Sequence, residues 1–220
     1  MEGTAIEPFQ ECSAMSKTLT IPPELALIPP GHLNLMGYLD ESEVNGPGCR
    51  AVVWVQGCSR ECRGCFNEAS WSFEINQLAK IEEIAEKILA NPRNTGVTFS
   101  GGEPFWQAIA LTELAKYVKE RELSVMSFTG FTLEQLRSRN SPPGARELLE
   151  QLDILVDGAY VDSLAIHSPD SLVSSSNQRV HVFNPEFADR LNWASDRAEI
   201  HILKDGTRVF TGFWGQMISE

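Results

Sequence analysis

Between Ala51 and Val55 the chain reads Ala-Val-Val-Trp-Val, an unbroken β-branched and aromatic run that predicts a strand buried on both faces. The turn-rich stretch Asn45-Gly46-Pro47-Gly48 leads into it. From Ile75 onward Leu78, Ile81, Ile84, Ala85 and Ile88 recur at steps of three and four, with Lys80, Glu82, Glu83, Glu86 and Lys87 on the other face, the pattern of an amphipathic helix. Gly96 to Ser100 predicts a second buried strand, ending in Gly101-Gly102, and Leu111, Leu114, Ala115 and Val118 mark one face of a second helix. Leu123 to Phe128 reads as a third strand. Thr132 with Gln135 three residues on is a capping-box signature for a helix through about Arg139. Beyond the interruption at Pro142-Pro143-Gly144, a short helix over Ala145 to Leu152, a strand at Ile154-Leu155-Val156 and a fifth strand over Val180 to Phe183 are expected.

Strands and helices that alternate in this way predict an α/β fold, a parallel sheet with helical crossovers. Ile200 to Leu203 and Thr207 to Phe210, joined through Asp205-Gly206, predict a C-terminal β-hairpin. Residues 1 to about 30 carry Pro22, Pro23, Pro29 and Pro30 around Leu25 to Ile28 and show neither period, so they read as an irregular arm. The expected division is an arm over 1–32, a core domain over 33–184 and an extension with the hairpin over 185–220. The core supplies about four or five βα units against the eight of a full barrel, which leaves the sheet open on one side.

Charge narrows the partners. Over 220 residues, 18 Lys and Arg stand against 30 Asp and Glu, a net charge of -12 without a local basic patch, so neither a nucleic acid nor a membrane surface is expected as a partner. The first residues lack a basic region followed by an apolar core, and no apolar run approaches the roughly 20 residues of a membrane helix. A cytoplasmic protein is expected, in which thiols stay reduced.

Cysteines then supply the chemistry. There are five, and three of them, Cys58, Cys62 and Cys65, form a C-x3-C-x2-C cluster in the loop just past the first strand. Full ligation of a [4Fe-4S] cluster takes four thiolates, so three leave one iron open to a substrate. The competing assignment is a structural zinc site completed by Cys49 or a histidine. Its usual signature of two separated ligand pairs is missing: Cys12 and Cys49 are solitary, and His32, His167, His181 and His201 are scattered. Trp54, Trp106, Trp193 and Trp214 read as packing residues.

At the end of the second strand lies Ser100-Gly101-Gly102-Glu103-Pro104. Two glycines permit close approach of backbone to a ligand, and the Glu103 carboxylate is suited to accept hydrogen bonds from an ammonium group. A Gly-Gly turn before a helix with proline near its start also has a purely structural explanation.

Taken together, the two motifs resemble the radical S-adenosylmethionine (SAM) superfamily. More narrowly, the chain is similar to the family of activating proteins of anaerobic ribonucleoside-triphosphate reductase. The likeness spans about residues 33 to 183 and is carried by Asn45 to Gly48, Gln56-Gly57-Cys58, Gly64-Cys65-Phe66-Asn67 with Trp71, Gly101 to Pro104, Thr129 to Thr132, Leu155 to Gly158 and Ser175 to Gln178. It departs from the family at Val173-Ser174, where Arg-Gly is usual, and in the added termini.

The resemblance implies a partial, open βα barrel of the radical SAM type. It implies that Cys58, Cys62 and Cys65 hold the [4Fe-4S] cluster and are catalytic, with the amine and carboxylate of SAM chelating the fourth iron. One electron from the reduced cluster would cleave SAM to methionine and a 5'-deoxyadenosyl radical, which abstracts hydrogen from a glycine of an anaerobic ribonucleotide reductase-type partner, a glycyl radical enzyme. Gly101, Gly102 and Glu103 would hold the amino end of SAM, and Gly64, Cys65 and Phe66 would pack near its adenine. Flavodoxin or ferredoxin is the implied electron donor. Asp157, at the carboxyl end of a strand, is either a cofactor residue or a strand cap before a glycine turn; Ser175, Ser176 and Asn177 fit an ordinary polar turn. Two other functions stay open: a radical SAM enzyme acting on a different protein or small molecule, and a non-catalytic iron–sulfur module.

Overall fold

The computed structural model describes residues 19–166, 171–190, 198–203 and 205–212. Seven strands form one mixed sheet in the order β3-β1-β2-β4-β5-β6-β7: β1 His32–Ser42, β2 Arg50–Val55, β3 Gln77–Lys80, β4 Gly96–Gly101, β5 Ser124–Phe128, β6 Ile154–Asp157 and β7 Arg179–Val182. The parallel centre expected from the alternation is present in β2, β4, β5 and β6. Both flanks are antiparallel: β1 pairs with β2, β3 with β1, and β7 with β6.

Two strands are additions to the expected set, and three helices are shorter. The helical period from Ile75 gives way over Gln77–Lys80, which pairs with His32 to Leu35 of β1, and helix α1 begins at Ile81 and ends at Ala90. Pairing with β1 at the edge of the sheet outweighs helical propensity there, and the Ile81 N–H donates to Gly31 O at 2.9 Å. Helix α2 (Ala108–Lys119) follows the expected position, while α3 (Leu133–Arg137) and α4 (Ala145–Leu149) begin as expected and also end early, short of Arg139 and Leu152. Thr132 caps α3 through the complete reciprocal pair with Gln135.

The helices supply one face of the core. Ile81, Ile84 and Ile88 of α1, Leu111, Leu114 and Val118 of α2, Leu136 of α3 and Leu148 of α4 pack on Ala51, Val53, Val55, Val97, Phe99, Val125 and Leu155 of the sheet. Each fully buried Ile or Leu contributes about 1.5–3 kcal/mol. The intervening strand residues point the other way and are covered by C-terminal segments: Val209 packs on Leu39, Val52 and Trp54, and Phe187 on Met126, Ile154 and Val156. Coverage on both faces is why β2 is apolar without alternation. Val209 belongs to the hairpin of β8 (Ala198–Ile202) and β9 (Arg208–Gly212), which forms as expected and is fastened by Glu199 to Ser42 Oγ (2.7 Å) and by Thr211 Oγ1 to Asn45 (2.8 Å). Of the N-terminal arm, Leu19 and Leu25 pack against the main core. Residues 1–18, together with Cys12, His167, Trp193 and Trp214, lie outside the described residues. Among the described residues no helix is long and apolar enough to cross a membrane.

A buried cation closes the amino end of the parallel strands. Arg50 is fully buried and donates to Thr98 Oγ1 (2.8 Å), Pro47 O (3.1 Å), Ser124 Oγ (2.8 Å), Val97 O (2.7 Å) and Ser124 O (3.2 Å). Burial lowers its pKa to about 10, so it remains charged at neutral pH. Arg50→Met leaves these acceptors buried without a donor and is expected to cost about 3 kcal/mol, read as a lower urea midpoint. Metal content should be unchanged, because the cysteine loop lies at the other end of β2.

Candidate iron–sulfur and cofactor site

Strand β2 delivers the chain to Gln56-Gly57-Cys58, and backbone bonds close the cysteine loop at its base. Gly57 N donates to Ser70 O (2.8 Å) and Cys58 N to Trp71 O (3.0 Å), while the buried Gln56 side chain donates to Ser72 O (2.8 Å). Within the loop, Glu61 (φ 44°) and Gly64 (φ 75°) take left-handed turns, and Cys65 N donates to Cys62 O at 3.0 Å. A side chain at Gly64 would come within 3.0 Å of Asp162 Oδ1. The three thiols end up partly buried and close enough for the charge of Cys62 to act on Cys58 and that of Cys65 on Cys62. Burial pushes the Cys58 thiol up to about 11 and raises that of Cys62.

This donor set fits an iron–sulfur cubane better than a single ion. Among the described residues no three His, Cys, Asp or Glu side chains are grouped tightly enough for one metal ion. A cubane instead takes one thiolate per iron, and so spreads its ligands. Cys49 precedes β2 and is separated from Cys58 by the length of that six-residue strand, about 20 Å. His32 lies against Pro30 O (3.0 Å), His181 against Asp157 (3.1 Å) and His201 against Glu199 (3.0 Å). None of these supplies the fourth ligand that zinc requires.

The Gly-Gly-Glu turn lies directly beside the cysteine loop, because Val55 and Gly101 are register partners. Gly102 N donates to Val55 O and Glu103 N to Gly57 O, both at 2.8 Å. A Cβ on Gly101 would sit 2.6 Å from Val55 N and O, and one on Gly102 would sit 2.4 Å from Gly57 O. The close approach that requires glycine is therefore between this turn and the protein's own cysteine loop, where the sequence suggested a ligand.

Glu103 is 1% exposed and holds three donors: Phe105 N (3.1 Å) and Thr129 Oγ1 (2.8 Å) on Oε1, and Gly130 N (2.8 Å) on Oε2. Burial raises its carboxyl, and the three donors and the nearby Arg60 charge oppose that rise. A carboxylate has about four acceptor positions, so Glu103 retains capacity for one further donor. Sequence reasoning assigned no role to Thr129 or Gly130, although both lie in one of the stretches that carry the resemblance. Nor did it single out Ser59 and Arg60: Trp106, besides packing edge-on against Phe73 and Phe131, donates from Nε1 to Ser59 Oγ at 3.2 Å. A cavity of about 380 Å³ lined by Leu19, Ser59, Arg60, Cys62, Phe131 and Ala159 opens beside the loop. Phe66 is 75% exposed, with its ring 6.3 Å from that of Tyr160.

Asp157 is drawn into a different set of contacts. Its buried carboxylate accepts from Leu133 N (2.6 Å) and from Arg179 Nε (3.0 Å) and a terminal guanidinium nitrogen (2.5 Å), with His181 Nε2 at 3.1 Å. Burial acts to raise its pKa, and these partners more than offset it, leaving the carboxyl below its ordinary value. Both oxygens are thus engaged in tying β7 and α3 to β6, the strand-capping alternative. Stability from this cluster is present above the unfolded carboxyl value of about 4 and is lost as pH falls through the lower folded value. Denaturation from pH 7 down to pH 3 should accordingly show a steeper acid loss in the wild type than in Asp157→Asn.

The polar turn near Ser175 is likewise internal. Ser175 Oγ accepts from Val161 N (3.2 Å), Asn177 Nδ2 donates to Ala159 O (2.8 Å), and Gln178 bridges Ser174 N and Gly158 O.

Residues 44–181 match the family described as 4Fe-4S single cluster domain. Relatives named anaerobic ribonucleoside-triphosphate reductase-activating protein include those of Vibrio cholerae serotype O1, 31% identical over 69% of this chain and 99% of the relative, and of Haemophilus influenzae, 30% identical over 69% and 99%. The protein of that name from Enterobacteria phage T4 is 32% identical over 55% of this chain and 77% of its own length. The stretch matched by the family holds the cysteine loop and the adjacent turn, and the chain belongs to the 4Fe-4S single cluster family, among the anaerobic ribonucleoside-triphosphate reductase-activating proteins.

Proposed function

We propose that the chain is a radical SAM enzyme that installs a glycyl radical on an anaerobic ribonucleotide reductase-type partner. The observation that carries the reading is the juxtaposition of a three-thiol loop with the Gly-Gly-Glu turn of the neighbouring parallel strand, fastened by the bonds from Gly102 and Glu103. In this reading Cys58, Cys62 and Cys65 bind a [4Fe-4S] cluster, which supplies the electron that cleaves SAM and so generates the hydrogen-abstracting radical. Glu103 accepts an N–H from the SAM amino group through its remaining lone pair. Gly101 and Gly102 bring that carboxylate and the cysteine loop together. Gly64 allows the backbone to turn away before Phe66, whose exposed ring is suited to stack on adenine. The open α/β sheet over residues 33–184 serves as a partial barrel, the arm over 1–32 and the extension over 185–220 are additions to it, and a cytoplasmic flavodoxin or ferredoxin delivers the electron.

The test is anaerobic reconstitution with iron and sulfide, followed by reduction in the presence of SAM and assay of 5'-deoxyadenosine. Addition of a candidate anaerobic reductase should then give a glycyl radical on the partner by electron paramagnetic resonance. A reconstituted, reduced protein that leaves SAM intact would falsify the reading. One observation favours a second function within the same chemistry: Phe187 and Val209 occupy part of the sheet face not covered by helices, which narrows access for a peptide loop. SAM cleavage with no partner radical, accompanied by modification of another protein or of a small molecule, would support that alternative.

A further inference from the structure

Arg60 stands between the first two cysteines and has a buried hydrogen-bond donor without a partner, its Nε. The guanidinium is held in place from two sides. Its carbon lies 4.5 Å from the centroid of the Phe131 ring, and its stem rests on Gly130, where a Cβ would meet Arg60 Cδ at 2.4 Å and Nε at 2.7 Å. Among the described residues its hydrogen bond is to Gln135 Oε1, long at 3.4 Å. The same Gly130 position lies 3.4 Å from Glu103 Oε2, so the cation and the buried carboxylate flank one glycine. The donors on the carboxylate come from Phe105, Thr129 and Gly130, and the guanidinium bond goes to Gln135. Arg60 also lines the cavity beside Cys62.

A buried N–H without an acceptor is costly, and a guanidinium fixed against an aromatic ring is ordered in advance for a planar anion. Beside it is a carboxylate with capacity for one further donor. A donor and an acceptor flanking one glycine complement the two polar groups of an α-amino acid. We infer that Arg60 binds the carboxylate of the α-amino-acid end of SAM while Glu103 accepts from its amino group, making Arg60 the residue that selects a ligand carrying both groups. The inference rests on the SAM reading above and assigns the cofactor's carboxylate to a residue inside the cysteine loop.

The experiment is calorimetry on the reconstituted protein, kept anaerobic, with SAM and with decarboxylated SAM, which retains the sulfonium, the adenosine and the amine. Arg60→Met should weaken SAM binding roughly 10- to 100-fold and leave the affinity for decarboxylated SAM unchanged. Arg60→Lys should show the same selective loss in smaller measure, because an ammonium keeps the charge but not the fork. Iron content, read alongside, should stay at the wild-type level, and the Lys variant carries the comparison if the Met variant takes up less iron. If Arg60→Met weakens both ligands alike, or neither, while the wild type binds SAM, the assignment of Arg60 is wrong and the SAM reading stands. If the wild type binds no SAM, both fail together.

Discussion

Cys62→Ala is expected to give a folded protein that cannot be reconstituted. Cys62 lies at the centre of the cysteine loop, its carbonyl accepting from Cys65 N at 3.0 Å, and its thiol shares a field with both other cysteines. With two thiolates left, two irons of a cubane lose protein ligation, and no group among the described residues replaces them: the described histidines are engaged elsewhere, and Cys49 lies beyond the far end of β2. Iron bound after reconstitution should fall nearly to background, and the brown absorbance should go with it. The core should be unaffected, because Cys62 is only partly buried and is absent from the three apolar clusters, so the thermal midpoint of the iron-free variant should match that of the iron-free wild type. Cys12→Ala and Cys49→Ala should bind iron as the wild type does. Loss of iron in the Cys49 variant would restore the four-ligand assignment.

The contrast between Cys62 and Asp157 shows what a sequence discloses about a site. Three thiols at close spacing have few chemical uses, so the cysteine loop was legible from residue type and interval alone. A lone Asp at a strand end has many uses, and only its partners decide among them: Arg179 and His181 reach it from an antiparallel strand more than 20 residues away. That antiparallel return was itself invisible, because short apolar runs carry no sign of direction. The same ambiguity hid β1 and β3. Gln77–Lys80 has apolar residues that suit a helix, and its strand state is imposed by β1, whose residues include Asn34, buried by bonds from its side chain to Glu74 O and from Asn76 N. Local pattern identified the elements that bury a complete face, namely α1, α2 and the parallel strands. It did not identify those that exist because a neighbour supplies the other half of the ladder.

Glycines raise the same problem at the site, and Gly102 makes it testable. If the residue were needed only for approach of a ligand, Gly102→Val would remove SAM binding and leave the iron in place. The structure points to a different outcome. A Cβ at this position lies 2.4 Å from Gly57 O, 2.8 Å from Gly57 C and 3.0 Å from Ser70 O, all of them backbone atoms at the base of the cysteine loop, which cannot rotate aside as a side chain would. The valine must displace Gly57, and with it the bonds from Gly57 N to Ser70 O and from Cys58 N to Trp71 O that fix the first cysteine of the loop. We expect a destabilisation of about 3 kcal/mol, with a fall in thermal midpoint of roughly 10 °C for a chain of this size. Reconstituted iron should drop together with SAM affinity, and Gly102→Ala should show both effects more weakly, because its single methyl meets the same carbonyl. Full iron content in Gly102→Val with SAM binding alone abolished would show that the ligand is what approaches this glycine.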